Sequence, residues 1–207
     1  MRYRVIATVW VDGILLEAST VMEMYYVSTH SSLSSKGGGT RLYGEALIFD
    51  MPGGRTFYIL PDEHIHQYDL VQFWEEGLLK TLGVKNSVGG LSADDFKKIR
   101  AASGRMPIRF FGRLPTFVAF GDEQQPTTIF EIENHRLSQV FPGVIFKSLE
   151  LEITAEPLTK KLRKRLPWLN IQKQVFDRDP PGKSRSIRVK PLTHLITRNN
   201  FFGSGSK

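Results

Sequence analysis

Two histidines and three carboxylates fall within eight positions at Asp62-Glu63-His64-Ile65-His66 and Asp69. In an extended His-x-His pair both imidazoles point to one side, where they can share a metal ion, and the flanking carboxylates are suitable further ligands. A metal site also needs three or four ligands that converge, whereas carboxylates just ahead of a helix are favoured by its dipole without any metal. A metal-dependent hydrolase using His64 and His66 therefore stands as an alternative reading, and no metal ligand is assigned. Serine chemistry lacks a Gly-x-Ser-x-Gly elbow, and His30 beside Ser31 and Ser32 has the composition of a loop. Lys36-Gly37-Gly38-Gly39-Thr40 offers backbone amides to an anion, but a phosphate loop needs Gly-Lys followed by Ser or Thr at a helix start, and the order here is different. Glu75 with Glu76 and Asp94 with Asp95 are neighbours on helices and point apart, while Glu131 and Glu133 fit the wet face of a strand. With no cysteine in the chain, thiolate metal sites, disulfides and a cysteine nucleophile are excluded. The motifs thus name no catalytic residue, no cofactor and no small-molecule ligand, and they lean away from an enzyme.

Charge gives a stronger lead. Residues 1–157 carry 15 Lys and Arg against 19 Asp and Glu, a balance of −4, while residues 158–207 carry 13 against 2, a balance of +11. The net +7 of the chain is therefore the property of its last quarter. Lys160, Lys161, Arg163, Lys164 and Arg165 form one cluster, and Arg185, Arg188 and Lys190 form a second beyond Asp179-Pro180-Pro181-Gly182. Such clusters neutralise phosphates and release condensed counterions, which gives salt-dependent binding that reads no sequence. Trp168 or Phe201 is placed to stack on bases. The expected partner is an anionic macromolecule, either nucleic acid or an acidic protein surface. Lipid headgroups attract the same residues and rank below these.

The elements that must position these groups follow from periodicity. Tyr3–Val11 alternates, Asp12-Gly13 is a type I′ turn signal, and Ile14–Val27 is a second β-rich run, which together predict a hairpin. Ser28–Thr40 reads as a long loop, and Arg41–Asp50 with Thr56–Leu60 completes a four-stranded meander. Apolar residues at helical spacing predict one main helix over Leu70–Leu82, stopped by Gly83 and packed across the sheet. Ser92 with Asp95 predicts a capped shorter helix. Ile108–Phe111, Thr116–Phe120 and Thr127–Ile132 read as short strands, Asn134 opens a single helical turn, and Val144–Thr154 alternates with Leu149, Leu151 and Ile153 on its buried face. Pro157–Arg165 reads as a basic helix and Leu166-Pro167-Trp168-Leu169 as an anchor. Ser184–Val189 fits an edge strand, and Gly203–Lys207 reads as a flexible linker.

Several stretches resemble a little-characterised group of bacterial β-rich proteins: Leu16-Glu17-Ala18-Ser19-Thr20-Val21, Gly44-Glu45-Ala46, Thr116-Phe117-Val118-Ala119-Phe120, and Leu151 to Thr159 leading into Leu166-Pro167-Trp168-Leu169. The group has no defined function and often carries an N-terminal membrane anchor, so the resemblance implies a bacterial, β-rich domain and, as an alternative, a peripheral membrane or envelope-associated role. Neither a signal peptide nor an apolar run of the ~20 residues a membrane span requires is visible, which predicts a soluble, cytoplasmic chain. The expected architecture is α+β: an antiparallel sheet from the N-terminal hairpins under one main helix in residues 1–157, with a basic C-terminal arm in residues 158–207. The expected function is non-catalytic binding or assembly through that arm.

Overall fold

A computed structural model describes residues 1–29, 37–61, 70–84, 91–109, 114–170 and 198–203. Alternating burial of Tyr3, Val5, Ala7, Val9 and Val11 gives β1 (Arg2–Val11) one inward face. Asp12 and Gly13 turn the chain with φ of 48° and 91°, the paired left-handed conformations that a two-residue hairpin requires. β2 (Ile14–Thr29) returns in unbroken register from Val11↔Ile14 to Arg2↔Glu23. β3 (Gly37–Tyr43) then pairs with the far half of β2, so Gly37–Thr40, expected as loop, is strand opposite Tyr26–Thr29. Glycines weaken a strand but keep both ladder groups, and the long β2 run supplies the template.

The expected four-stranded meander is divided. At Gly44, φ is 137° and a Cβ would lie 2.9 Å from the Met22 side chain, so only glycine lets the chain cross β2 here. Beyond this corner β4 (Leu47–Met51) and β5 (Arg55–Ile59) begin a second sheet. α1 (Leu70–Thr81), α2 (Ala93–Ala101), β6 (Arg105–Pro107), β7 (Phe117–Phe120), β8 (Ile129–Ile132), the single turn α3 (Leu137–Val140), β9 (Val144–Ile153) and the single turn α4 (Leu162–Arg165) follow. The result is a mixed α and β fold on two antiparallel sheets, ordered β3-β2-β1-β9-β6 and β4-β5-β7-β8.

The sheets face one another. Inward residues of β1 meet Leu47, Phe49, Phe57, Ile59, Phe117 and Ala119 of the second sheet. Phe49, Phe57 and Phe117 stack with centroids 5.0 and 5.4 Å apart, and Phe146 closes the row edge-on at 5.1 Å. α1 lies against β3 and sends Trp74 and Leu78 into this core, so it closes the sandwich from one side rather than lying across a single sheet. Leu79 packs with Val84 and with Ile99 of α2, whose Ser92–Asp95 capping box forms as its spacing predicts.

β9 departs from its expected clean alternation. Thr8 pairs with Ser148 but Val9 pairs with Phe146, which leaves Lys147 as the extra residue of a β-bulge. The bulge allows Phe146 and Val144 on one side of it, and Leu149 and Leu151 on the other, to reach the same core.

Candidate functional site

The second sheet is apolar on both faces, because Phe57-Tyr58-Ile59 of β5 and Phe117–Phe120 of β7 are continuous apolar and aromatic runs rather than alternating ones. Its inner face joins the sandwich core, and its outer face presents Ala46, Tyr58, Leu60, Val118 and Ile129. That outer face is covered by the basic segment itself. Leu162, Leu166 and Leu169 are fully buried there, together with Phe201 and Phe202 from the end of the described chain. The spacing of the three leucines is the i, i+4, i+7 stripe of an amphipathic helix, although only Leu162–Arg165 forms an α-turn and Pro167–Asn170 continues as a 3-10 turn. Each buried leucine contributes about 1.5–3 kcal/mol of apolar transfer.

Polar contacts fix the same segment at both ends. At its start, Glu45 is only 4% exposed, and its Oε1 accepts the amides of Lys161 at 2.5 Å and Leu162 at 3.1 Å. Burial pushes the Glu45 carboxyl above its usual range, against the pull of those two amides and of the nearby Arg163 and Lys161 charges. At its end, Arg165 Nε meets Glu123 at 2.6 Å and Nη2 meets Asp50 at 3.0 Å. Glu123 also accepts the Tyr58 hydroxyl at 2.7 Å and, through its carbonyl, the Trp168 indole at 2.6 Å. Burial, and then the bond to Glu123, hold the Tyr58 hydroxyl well above its ordinary pKa, while Glu123 raises that of Arg165. Trp168 further packs edge-on against Phe120 and Phe201 at 5.7 and 6.1 Å. The aromatics expected to stack on bases are thus occupied, and Phe201 is inaccessible.

What remains outward is a turn that carries lysines. Lys160, Lys161 and Lys164 are exposed, and no carboxylate among the described residues forms an ion pair with their ammonium groups. Arg163 lies over the Phe202 ring at 5.1 Å, a cation–π contact. Beside the turn a cavity of about 240 Å³ opens between Gly44, Glu45, Lys160, Arg163 and Phe202. Asp50 and Glu123 both act on Arg165, while Glu45 lies within electrostatic reach of Arg163 and Lys161.

Arg185, Arg188 and Lys190 lie outside the described residues, as do the His64 and His66 group, the Ser31–Ser32 pair and the Ser184–Val189 strand. Among the described residues no group of three or more metal-ligating side chains converges, and no helix is long and apolar enough to cross a membrane. Sequence reading missed Glu45 and Glu123. The leucine stripe at 162, 166 and 169 was the available signal that the basic segment has a buried face and needs acidic anchors beneath it. Comparison of the chain with family models, with curated proteins and with solved structures finds no match.

Proposed function

We propose that this protein is a non-catalytic binding module that holds the phosphate backbone of duplex nucleic acid on the lysines of the docked turn. The observation that carries the reading is the division of labour within one short segment. Leu162, Leu166 and Leu169 point into the body, while Lys160, Lys161 and Lys164 point away from it with no paired carboxylate among the described residues. Charges on a fixed turn lose less freedom on binding than charges on a loose tail, so the docking serves affinity as well as stability. Arg165 takes no part, because Glu123 and Asp50 already hold it. Arg163 contributes long-range attraction from its place on Phe202. Duplex is favoured over single strands because Trp168 and Phe201 are packed inward, and single-strand binding draws on exposed aromatics.

Three phosphate contacts imply that the logarithm of affinity falls with that of salt concentration at a slope of about −2.7. Titration of a short duplex across a salt series should give that slope for the wild-type chain. The triple variant K160E/K161E/K164E should lose the binding while still unfolding cooperatively, with some loss of stability because Lys161 attracts the Glu45 carboxylate. Equal binding by the variant would overturn the reading, and binding to acidic polypeptides but not to duplex would transfer the turn to an acidic protein partner.

A further inference from the structure

A groove of about 340 Å³ lies where α2 meets the start of β1 and the end of β9. That volume is at the lower end of the ~300–1,000 Å³ that small-molecule sites occupy. Phe96, Ile99 and Arg100 fall at i, i+3 and i+4, so one face of α2 turns toward the strand ends. Ile99 is buried against Leu79 and Val84 and anchors the helix, while Phe96 stays 39% exposed on the groove. Opposite them, Met1 and Ile153 complete an apolar wall. The strand ends are held in place by backbone bonds, from the Thr154 amide to the Arg2 carbonyl at 3.2 Å and from the Met24 amide to the Met1 carbonyl at 2.8 Å.

The polar side chains on this wall are Arg2, Arg100 and Thr154, and no carboxylate among the described residues lines it. Arg2 is largely committed: Nη2 donates to Glu23 at 3.2 Å, and Nη1 to the carbonyls of Ala155 and Glu156 at 3.3 and 3.1 Å. Its buried Nε has no acceptor among the described residues. Glu23 balances Arg2, and Glu156 turns its carboxylate to Arg4, so neither answers Arg100. Arg100 is exposed and makes no ion pair or hydrogen bond among the described residues. The Thr154 hydroxyl accepts the Glu156 amide at 3.2 Å and keeps its own proton to give. The groove thus joins an apolar wall to donors that lack acceptors. A cation would meet only positive side chains there, and a neutral molecule would leave the Arg100 charge unanswered. An apolar body with a carboxylate head uses both parts of the wall.

We infer that the groove between α2 and the ends of β1 and β9 binds a small amphipathic carboxylate, with its apolar body against Phe96, Ile99 and Ile153 and its head on Arg100 and Thr154. This site is separate from the lysines of the docked turn and does not depend on their role. The test titrates the full chain with decanoate below its micelle concentration, and with decanol and decyltrimethylammonium as neutral and cationic counterparts. Calorimetry reads affinity, and methyl spectra of isoleucine-labelled protein, assigned with I99V and I153V, read location. Decanoate should saturate one site and shift the Ile99 and Ile153 methyl signals, and decanol should bind about ten-fold more weakly. R100Q should weaken decanoate about ten-fold and leave decanol unchanged, an effect that a merely structural role of Arg100 would not produce. T154V should weaken decanoate roughly three-fold, and F96A should weaken decanoate and decanol together. K160E/K161E/K164E should bind decanoate as the wild-type chain does. Absence of saturable binding, methyl shifts confined to other isoleucines, equal affinity for decanol, or undiminished decanoate binding by folded R100Q would overturn the inference. Self-association that F96A abolishes and decanoate leaves intact would also overturn it, and would make a second copy the occupant.

Discussion

The outer faces of the two sheets solve the same problem in opposite ways. The first sheet alternates, so its outward residues are largely Arg and Glu that pair across neighbouring strands and can face water. The second sheet does not alternate, and its outward Tyr58, Val118 and Ile129 need a cover, which the chain supplies from its own basic end. A segment with a large positive charge is thus held by apolar burial, with ion pairs at its margin. The contrast teaches that charge density along a sequence does not tell whether a segment is free. The spacing of the few apolar residues among the charges does.

Cutting the cover should produce the largest effect. Leu166→Ala removes a fully buried side chain from beneath the turn and should cost about 3 kcal/mol in denaturant-derived stability. Next comes Glu45→Ala, which strands the Lys161 and Leu162 amides and should cost about 2 kcal/mol. Glu45→Gln keeps an acceptor and separates charge from hydrogen bonding. Because burial raises the folded-state pKa of Glu45, the folded chain binds more proton than the unfolded one, and the contribution of Glu45 falls as pH rises from its ordinary range through the raised value. Glu45→Gln should therefore gain stability relative to the wild-type chain as pH rises toward neutral, and lose that advantage in acid.

Arg165→Met should cost about 1 kcal/mol, discounted because its side chain is 40% exposed, and should do so less in high salt. On the other face, Arg105→Ala breaks two exposed pairs and should cost under ~1 kcal/mol, with salt erasing the difference. If Arg105→Ala destabilised the chain as much as Leu166→Ala, the distinction between a self-solvated face and a covered one would collapse.

Much of this architecture was legible beforehand. The Asp12-Gly13 hairpin, the buried set of Leu149 and Leu151, the Ser92 cap and the anchoring leucines at 166 and 169 all follow from local spacing. The division into two sheets was not, because it depends on Gly44 passing over Met22, a contact between residues distant in sequence. The bulge at Lys147 was hidden for a related reason: the alternation of β9 looks regular until β1 sets its register. At the candidate site the lysines were visible as a cluster. Their partition into outward Lys160, Lys161 and Lys164 and inward-held Arg165 required the positions of Asp50 and Glu123, which come from other strands and turns.

Amide hydrogen exchange of the folded chain bears most directly on whether the basic segment belongs to the body. Lys161 and Leu162, bonded to Glu45, and Leu166, bonded to the Leu162 carbonyl, should exchange as slowly as the amides of β5 and β7, through unfolding of the whole molecule. Exchange of these three at the rate of an open chain, while the sheets stay protected, would contradict the account.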